Sequence, residues 1–302
     1  MKLSIIIINY KSFKLTSECL DSIRQNPPFC DHEVIVVDND SRDGSYDRLL
    51  KGYGDWARIV ESGRNGGFSY GNNVGARLAE GEYLFFLNAD TVLKPNVLDE
   101  MVSFMDSRRE FGAITCRSLN GDGIHLNNGH QFPTAKSIAV ELFVRPLIPA
   151  SAKSALRNLR NASVSAPIVE CDWISGSGLL MSRRLFMDIG CWDESFFMYM
   201  EDVGLCQEIR RAHKKCGVYS KIGFVHYLGS GCGSPKVIFE SCKSEIIYAR
   251  KYLPRQARLI RKLAIVRAKQ KLRGSAKSVR SDVIGRLKAV DVTPIFEESH
   301  AG

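Results

Sequence analysis

No apolar stretch in the 302 residues is long and uncharged enough to cross a bilayer. The apolar opening, Leu3 to Ile8, is also far shorter than the core of a signal peptide, and it reads as a first strand. Nine cysteines are scattered without a C-x-x-C pair, which excludes a zinc ribbon or a dithiol redox couple and leaves reduced thiols in a cytoplasmic setting. A dinucleotide fingerprint would follow the first strand, where "NYKSFK" stands instead, and no G-x-x-x-x-G-K-[ST] is present for a P-loop. Internal repeats are missing too, which excludes a solenoid. Basic residues abound near the C-terminus but lack interleaved aromatics, so nucleic acid is not an expected partner.

What is present is a hydrophobic content of 44%, enough for a core without staples. "LSIIIINY" is nearly all apolar, as a parallel strand buried on both faces must be. Ser12 then stands where it could cap a helix that ends before Pro27 and Pro28. "EVIVVDND", "ARIVES", "EYLFFLNAD" and "FGAITC" continue the strands, with helices around 46–50, over "SYGNNVGARLAEG" to a closing Gly81, and from about Pro95. This alternation predicts an α/β fold with a mostly parallel sheet and helices on both faces. Ligands of such sheets bind beyond the carboxyl ends of the strands. Those ends carry Asn9 and Tyr10, Asp38 to Asp40, Asn65, and Asn88 with Asp90.

After residue 118 the rhythm breaks, and the stretch from Lys136 to Val164 reads as vague and basic. Order resumes with "CDWISGSGLLMS", a helix around 183–189, a helix starting at Glu201 and Asp202, two short strands "CGVYS" and "GFVHYL", and a helix from about Pro235 to Tyr252. Glycines 66, 67, 71 and 75 surround a helix start, where backbone N–H groups favour an anion. Asn88 and Asp90 fit either a plain turn or a hard-cation site for Mg²⁺ or Mn²⁺. Glu201 and Asp202 suit helix capping, and one of them also suits a general base. His226, between apolar residues, reads as a packed histidine or as a third ligand through a neutral ring nitrogen.

"SIIIINY", "VIVVDNDSRDGS", "RNGGFSYGNNVG", "LFFLNADT", "GSGLLMSRRLFMDIGCWDESFFMYMEDVGLC" and "GFVHYLGSG", in that order over residues 2–232, resemble the motif set of family 2 glycosyltransferases with the GT-A fold, in the branch of bacterial rhamnosyltransferase-like enzymes. The resemblance implies inverting transfer of a sugar, L-rhamnose as the first guess, from a nucleoside diphosphate donor such as dTDP-rhamnose or a UDP-sugar. The acceptor would be a hydroxyl of a cell-surface glycan or a lipid-linked or lipopolysaccharide acceptor. It assigns Asn9, Tyr10 and Asp38 to the nucleoside and Asn65, Gly66 and Gly67 to the nucleotide pocket. Asn88 and Asp90 would occupy the D-x-D motif, with Asp90 and His226 holding Mg²⁺ or Mn²⁺. Asp202 would be the catalytic base, Glu201 would orient the acceptor, and Trp173, Ser175 and Gly176 would lie near the donor sugar or acceptor. Asn88 replaces the first Asp of the strict motif, and Gly204 stands where the family often has Asp. Residues 1–253 would form the catalytic domain, with a nucleotide-binding half over 1–117 and an acceptor half over 118–253, followed by a basic helical tail over 254–302. A different reading is a noncatalytic nucleotide-sugar-binding protein with a degraded metal site.

The tail holds thirteen Lys or Arg between Lys251 and Val290 against one acid, Asp282. Leu259, Ile260, Leu263 and Val266 form a partial helical stripe there. Two readings follow: a helix packed on the protein, or attachment to anionic lipid at the inner face of the cytoplasmic membrane.

Overall fold

Strand β1 (Leu3–Asn9) lies at the heart of the sheet, and its isoleucines are fully buried up to Ile7. Leu3, Ile5 and Ile7 enter one core while Ile6 enters the other, so successive side chains serve opposite faces. The computed structural model describes residues 1–149, 151–152, 166–227, 233–293 and 295. Chain order continues with α1 (Phe13–Gln25), β2 (His32–Asp38), α2 (Ser45–Tyr53), β3 (Arg58–Glu61), α3 (Gly67–Leu78), β4 (Tyr83–Asn88), β5 (Thr91–Val92), α4 (Val97–Ser107) and β6 (Phe111–Leu119). Short strands β7 (His125–Leu126) and β8 (Gly129–His130) come next, then α5 (Ala135–Ala139), a π-turn (Val140–Val144) and a 3-10 turn (Arg145–Leu147). The remaining elements are β9 (Ile168–Cys171), β10 (Trp173–Ile174), β11 (Gly178–Ser182), α6 (Arg183–Asp188), α7 (Glu201–Arg211), β12 (Lys215–His226), α8 (Pro235–Tyr252), α9 (Ala257–Lys271) and α10 (Lys277–Ala289).

The main sheet runs β3-β2-β1-β4-β11-β6-β12-β5. The four strands from β3 to β4 are parallel, as are β6 and β12, whereas β11 runs antiparallel between β4 and β6. The expected α/β class with a mostly parallel sheet is therefore what forms. Three details differ from the sequence reading. "CGVYS" and "GFVHYL" are one strand, β12, whose register against β6 jumps between Tyr219 and Gly223. Such a bulge bends the strand without ending it. Ser12 does not cap α1 with its side chain, because its hydroxyl donates to Asn9 Oδ1 at 3.1 Å.

Gly81 does not close α3, which ends at Leu78. It lies against β1, where a Cβ would sit 2.5 Å from the Ser4 nitrogen. The sequence reading left 118–165 unplaced; its described part holds β7, β8, α5 and the two turns, and the rest lies outside the described residues.

Two compact units are present. The first comprises residues 1–132, 161–194 and 201–229 and contains the sheet. The second comprises 133–160, 195–200 and 230–302 and is helical. In this second unit α8 begins at Pro235 after Ser234, whose hydroxyl accepts the Val237 N–H. Helix α9 packs on α8, α10 and α5 through Ile260, Leu263, Ala264 and Ala268. The apolar stripe of the tail is thus mostly spent on packing, and Leu259 alone of the clearly apolar quartet is well exposed. No helix among the described residues is long and apolar enough to cross a membrane.

Candidate active site

The polar strand ends meet because the parallel register brings them level. Asn9 pairs with Asp38 across β1 and β2, and Ile8 pairs with Asn88 across β1 and β4. Asn9 is fully buried: its amide donates to Asp38 Oδ2 at 2.6 Å, and its carbonyl oxygen accepts from Thr16 at 2.7 Å. The second oxygen of Asp38 accepts the Ser41 N–H at 2.8 Å. A buried carboxylate is tolerable only when satisfied in this way. Asn9 and Asp38 therefore form a buttress beneath the strand ends, while Tyr10 beside them is exposed. Lys11 and Asp40, one on each side, hold positive φ of 53° and 62°. Left-handed backbone at a strand end is a strained turn of the sort that collects at functional sites.

Asn65 shapes the glycine turn. Its side-chain oxygen accepts from the Gly67 N–H at 3.2 Å and from Asn39 at 3.3 Å. Gly67 has φ of 86°, and a Cβ on Gly66 would strike the Tyr70 ring at 2.4 Å, so both positions require glycine. Helix α3 opens at this turn, and Phe68 in its first turn approaches Gly176.

Asp90 and His226, far apart in sequence, are brought together by the pairing of β5 with the end of β12. The Tyr227 N–H donates to the Asp90 carbonyl oxygen at 2.8 Å, and His226 Nε2 lies 3.1 Å from Asp90 Oδ1. Asn88 Nδ2 lies 3.5 Å from the same ring nitrogen. Both members of the pair are mostly buried, yet each retains some access to solvent. Among the described residues no cluster of three or more His, Cys, Asp or Glu could hold a metal. One carboxylate and one imidazole nitrogen are nevertheless a usual protein share for Mg²⁺ or Mn²⁺ when a diphosphate and water supply the remaining ligands.

From Asn88 the contacts run on to the acidic pair. Its N–H donates to the Ser177 carbonyl oxygen at 3.1 Å, and the hydroxyls of Ser177 and Ser175 are 3.1 Å apart. The Gly176 N–H donates to Asp202 Oδ2 at 3.3 Å, and Val203 N–H reaches Oδ1 at 2.9 Å. Burial pushes the Asp202 carboxyl up to about 6, against the pull of these N–H groups. Burial, and next the charge of Asp202, raise Glu201 well above the carboxylate range. Glu201 is buried and its Oε2 has no hydrogen-bond partner among the described residues. Trp173 stacks on His130 at 4.4 Å and donates to the Gln131 carbonyl oxygen at 3.0 Å.

All fourteen site residues named from the sequence are described, and this series of contacts links the strand ends, the glycine turn, the Asp90–His226 pair and the acidic pair within the sheet unit. Ser41, Thr16 and Ser177 were missed. Small hydroxyls, Thr16 within α1 and the two serines in loops, carry no sequence signal, and their partners become evident only from the fold.

Residues 4–171 match the family described as glycosyl transferase family 2. A hexosyltransferase of low-salt glycan biosynthesis from Haloferax volcanii is 30% identical over 229 residues, covering 74% of this chain and 66% of its own. An N-acetylglucosaminyl-diphospho-decaprenol L-rhamnosyltransferase of Mycobacterium tuberculosis is 27% identical, covering 59% of this chain and 61% of its own. The chain thus spans slightly less than two thirds of the length of these curated relatives. A solved mannosyltransferase from Pyrobaculum calidifontis, in complex with GDP-Man and Mn²⁺, superposes with a TM-score of 0.55 at 17% identity, over 96% of this chain and 85% of that one. With the family match extending over more than half of its residues, the chain belongs to glycosyl transferase family 2 and has the GT-A fold of its structural neighbours.

Proposed function

We propose that the protein is an inverting glycosyltransferase that moves a sugar from a nucleoside diphosphate donor to a hydroxyl of a cell-surface glycan or lipid-linked acceptor. The observation that carries this reading is the linkage of the Asp90–His226 pair to Asp202 through Asn88, Ser177 and Gly176 in one unit. L-rhamnose is the first donor sugar to test, supported by the rhamnosyltransferase among the relatives.

In this reading Asp90 and His226 hold Mg²⁺ or Mn²⁺, with Asn88 beside them. The bound ion would supply Lewis-acid stabilisation of the departing diphosphate. Tyr10 flanks the nucleoside, while Asn9 holds Asp38 in place beneath it. The Asn65–Gly67 turn shapes the nucleotide pocket at the start of α3, and Trp173, Ser175 and Gly176 border the sugar. Asp202 takes the proton from the acceptor hydroxyl as that oxygen attacks the anomeric carbon from the face opposite the diphosphate, which inverts the centre. A carboxyl raised to about 6 is a stronger base than an ordinary aspartate and is still ionised at neutral pH. Glu201, raised by burial and next by the charge of Asp202, orients the acceptor. The Gly176 and Val203 N–H groups each hold one oxygen of Asp202 and so fix the orientation of its carboxylate.

A panel of nucleotide sugars incubated with purified protein, with Mn²⁺ and with EDTA, tests the proposal. One donor should be consumed with Mn²⁺ and spared with EDTA, and the product should have inverted anomeric configuration by NMR. A retained configuration, or binding of a donor with no turnover onto any glycan or lipid-linked acceptor, would reject it; the latter outcome is what a noncatalytic sensor gives.

A further inference from the structure

In the helical unit, the segment formed by α5 and the two turns after it is apolar on two sides. Ala135, Ile138 and Leu142 face inward and pack with Ala257, Ile260 and Leu263 of α9 and its start. Val140, Phe143, Val144 and Leu147 are 46%, 50%, 49% and 81% exposed. All four lie in the two turns that follow α5 and give this short stretch of chain an outward apolar stripe. A stretch that has already buried one apolar face has no need of a second unless another apolar phase receives it.

We propose that this outward stripe inserts into the surface of a lipid bilayer bearing anionic headgroups. Charge favours that occupant. Arg145 lies within the stripe's own turn, and α9, which packs on α5, exposes Arg258 and Lys262, with Arg255 exposed just before its start. Glu141, the acid on the same turn, is engaged by Arg145 at 3.2 Å and by Arg267 at 3.5 Å. Apolar side chains flanked by cations suit the boundary between acyl chains and anionic headgroups. A second copy of the chain suits it less, because a two-fold interface would set these cations against their own copies. The lipid-facing apolar residues thus come from 140–147, whereas the stripe of the basic tail is mostly buried. The proposal does not depend on sugar transfer.

Flotation of the full chain with vesicles tests it. The protein should float with phosphatidylcholine containing phosphatidylglycerol and much less with phosphatidylcholine alone. The double variant Phe143→Ser with Leu147→Ser should lower the bound fraction by roughly tenfold. Its melting temperature should not move, since both side chains are exposed. Equal flotation of variant and parent would overturn the proposal, as would no flotation of either. A dimer seen by light scattering that the double variant loses, without lipid binding, would assign the stripe to a second copy.

Discussion

Asp202 and Glu201 share a helix start yet differ in environment. Asp202 accepts two backbone N–H groups, whereas Glu201 has one oxygen with no partner and a charged neighbour. In the proposed mechanism Asp202 ceases to act as a base below about pH 6, where its carboxyl gains its proton, so kcat/KM should fall tenfold per pH unit there. Glu201→Gln should leave that limb in place, since burial and not the charge of Glu201 raises Asp202; a limb that shifts by a full unit would show that Glu201 sets it. Asp202→Asn should slow transfer by roughly 10²- to 10⁴-fold while donor affinity by isothermal titration is retained. There is also a stability consequence. The folded pKa of Glu201 lies above the unfolded value, so its contribution is fully present below about pH 4 and is lost as pH rises through the raised value. Melting curves of Glu201→Gln should therefore depend less on pH over that window.

The aim of His226 depends on the whole of β12. The strand shifts register against β6 between Tyr219 and Gly223, then pairs His226 with Thr91. A Cβ on Gly223 would lie 2.6 Å from the Arg117 carbonyl oxygen, a backbone atom that cannot step aside as a flexible side chain would. Gly223→Ala should cost about 1–3 kcal/mol in urea denaturation. It should also raise the Mn²⁺ concentration needed for donor binding, by displacing His226. Full stability with unchanged Mn²⁺ dependence would show that the bulge does not aim the ring.

The two units rest on different physics. The sheet unit has apolar cores on both faces, whereas the helical unit also buries an ion pair, Arg267 with Glu245, between α9 and α8. Both side chains are largely buried and Glu245 Oε2 has no hydrogen-bond partner. Arg267→Met should cost about 3–5 kcal/mol, because it strands a buried carboxylate, and Glu245→Leu in the same chain should recover most of the loss. Circular dichroism against urea would measure both changes. A single variant as stable as the parent would mean that water already reaches the pair.

The apolar strands, the helices between them and the polar residues at the strand ends were legible in the sequence, because burial on both faces of a parallel sheet leaves an unbroken apolar run that stops where solvent begins. The approach of His226 to Asp90 was not legible from spacing. It arises when β12 continues through a bulge to pair with β5, a long-range hydrogen-bonding choice that local preference does not encode. Ser12 illustrates the same limit at short range, since its hydroxyl serves Asn9 in place of the helix. Residue types and their order determined the family, the sheet and the candidate groups. Only the tertiary structure decided which groups meet, how far burial shifts their protons, and which apolar side chains are left facing outward.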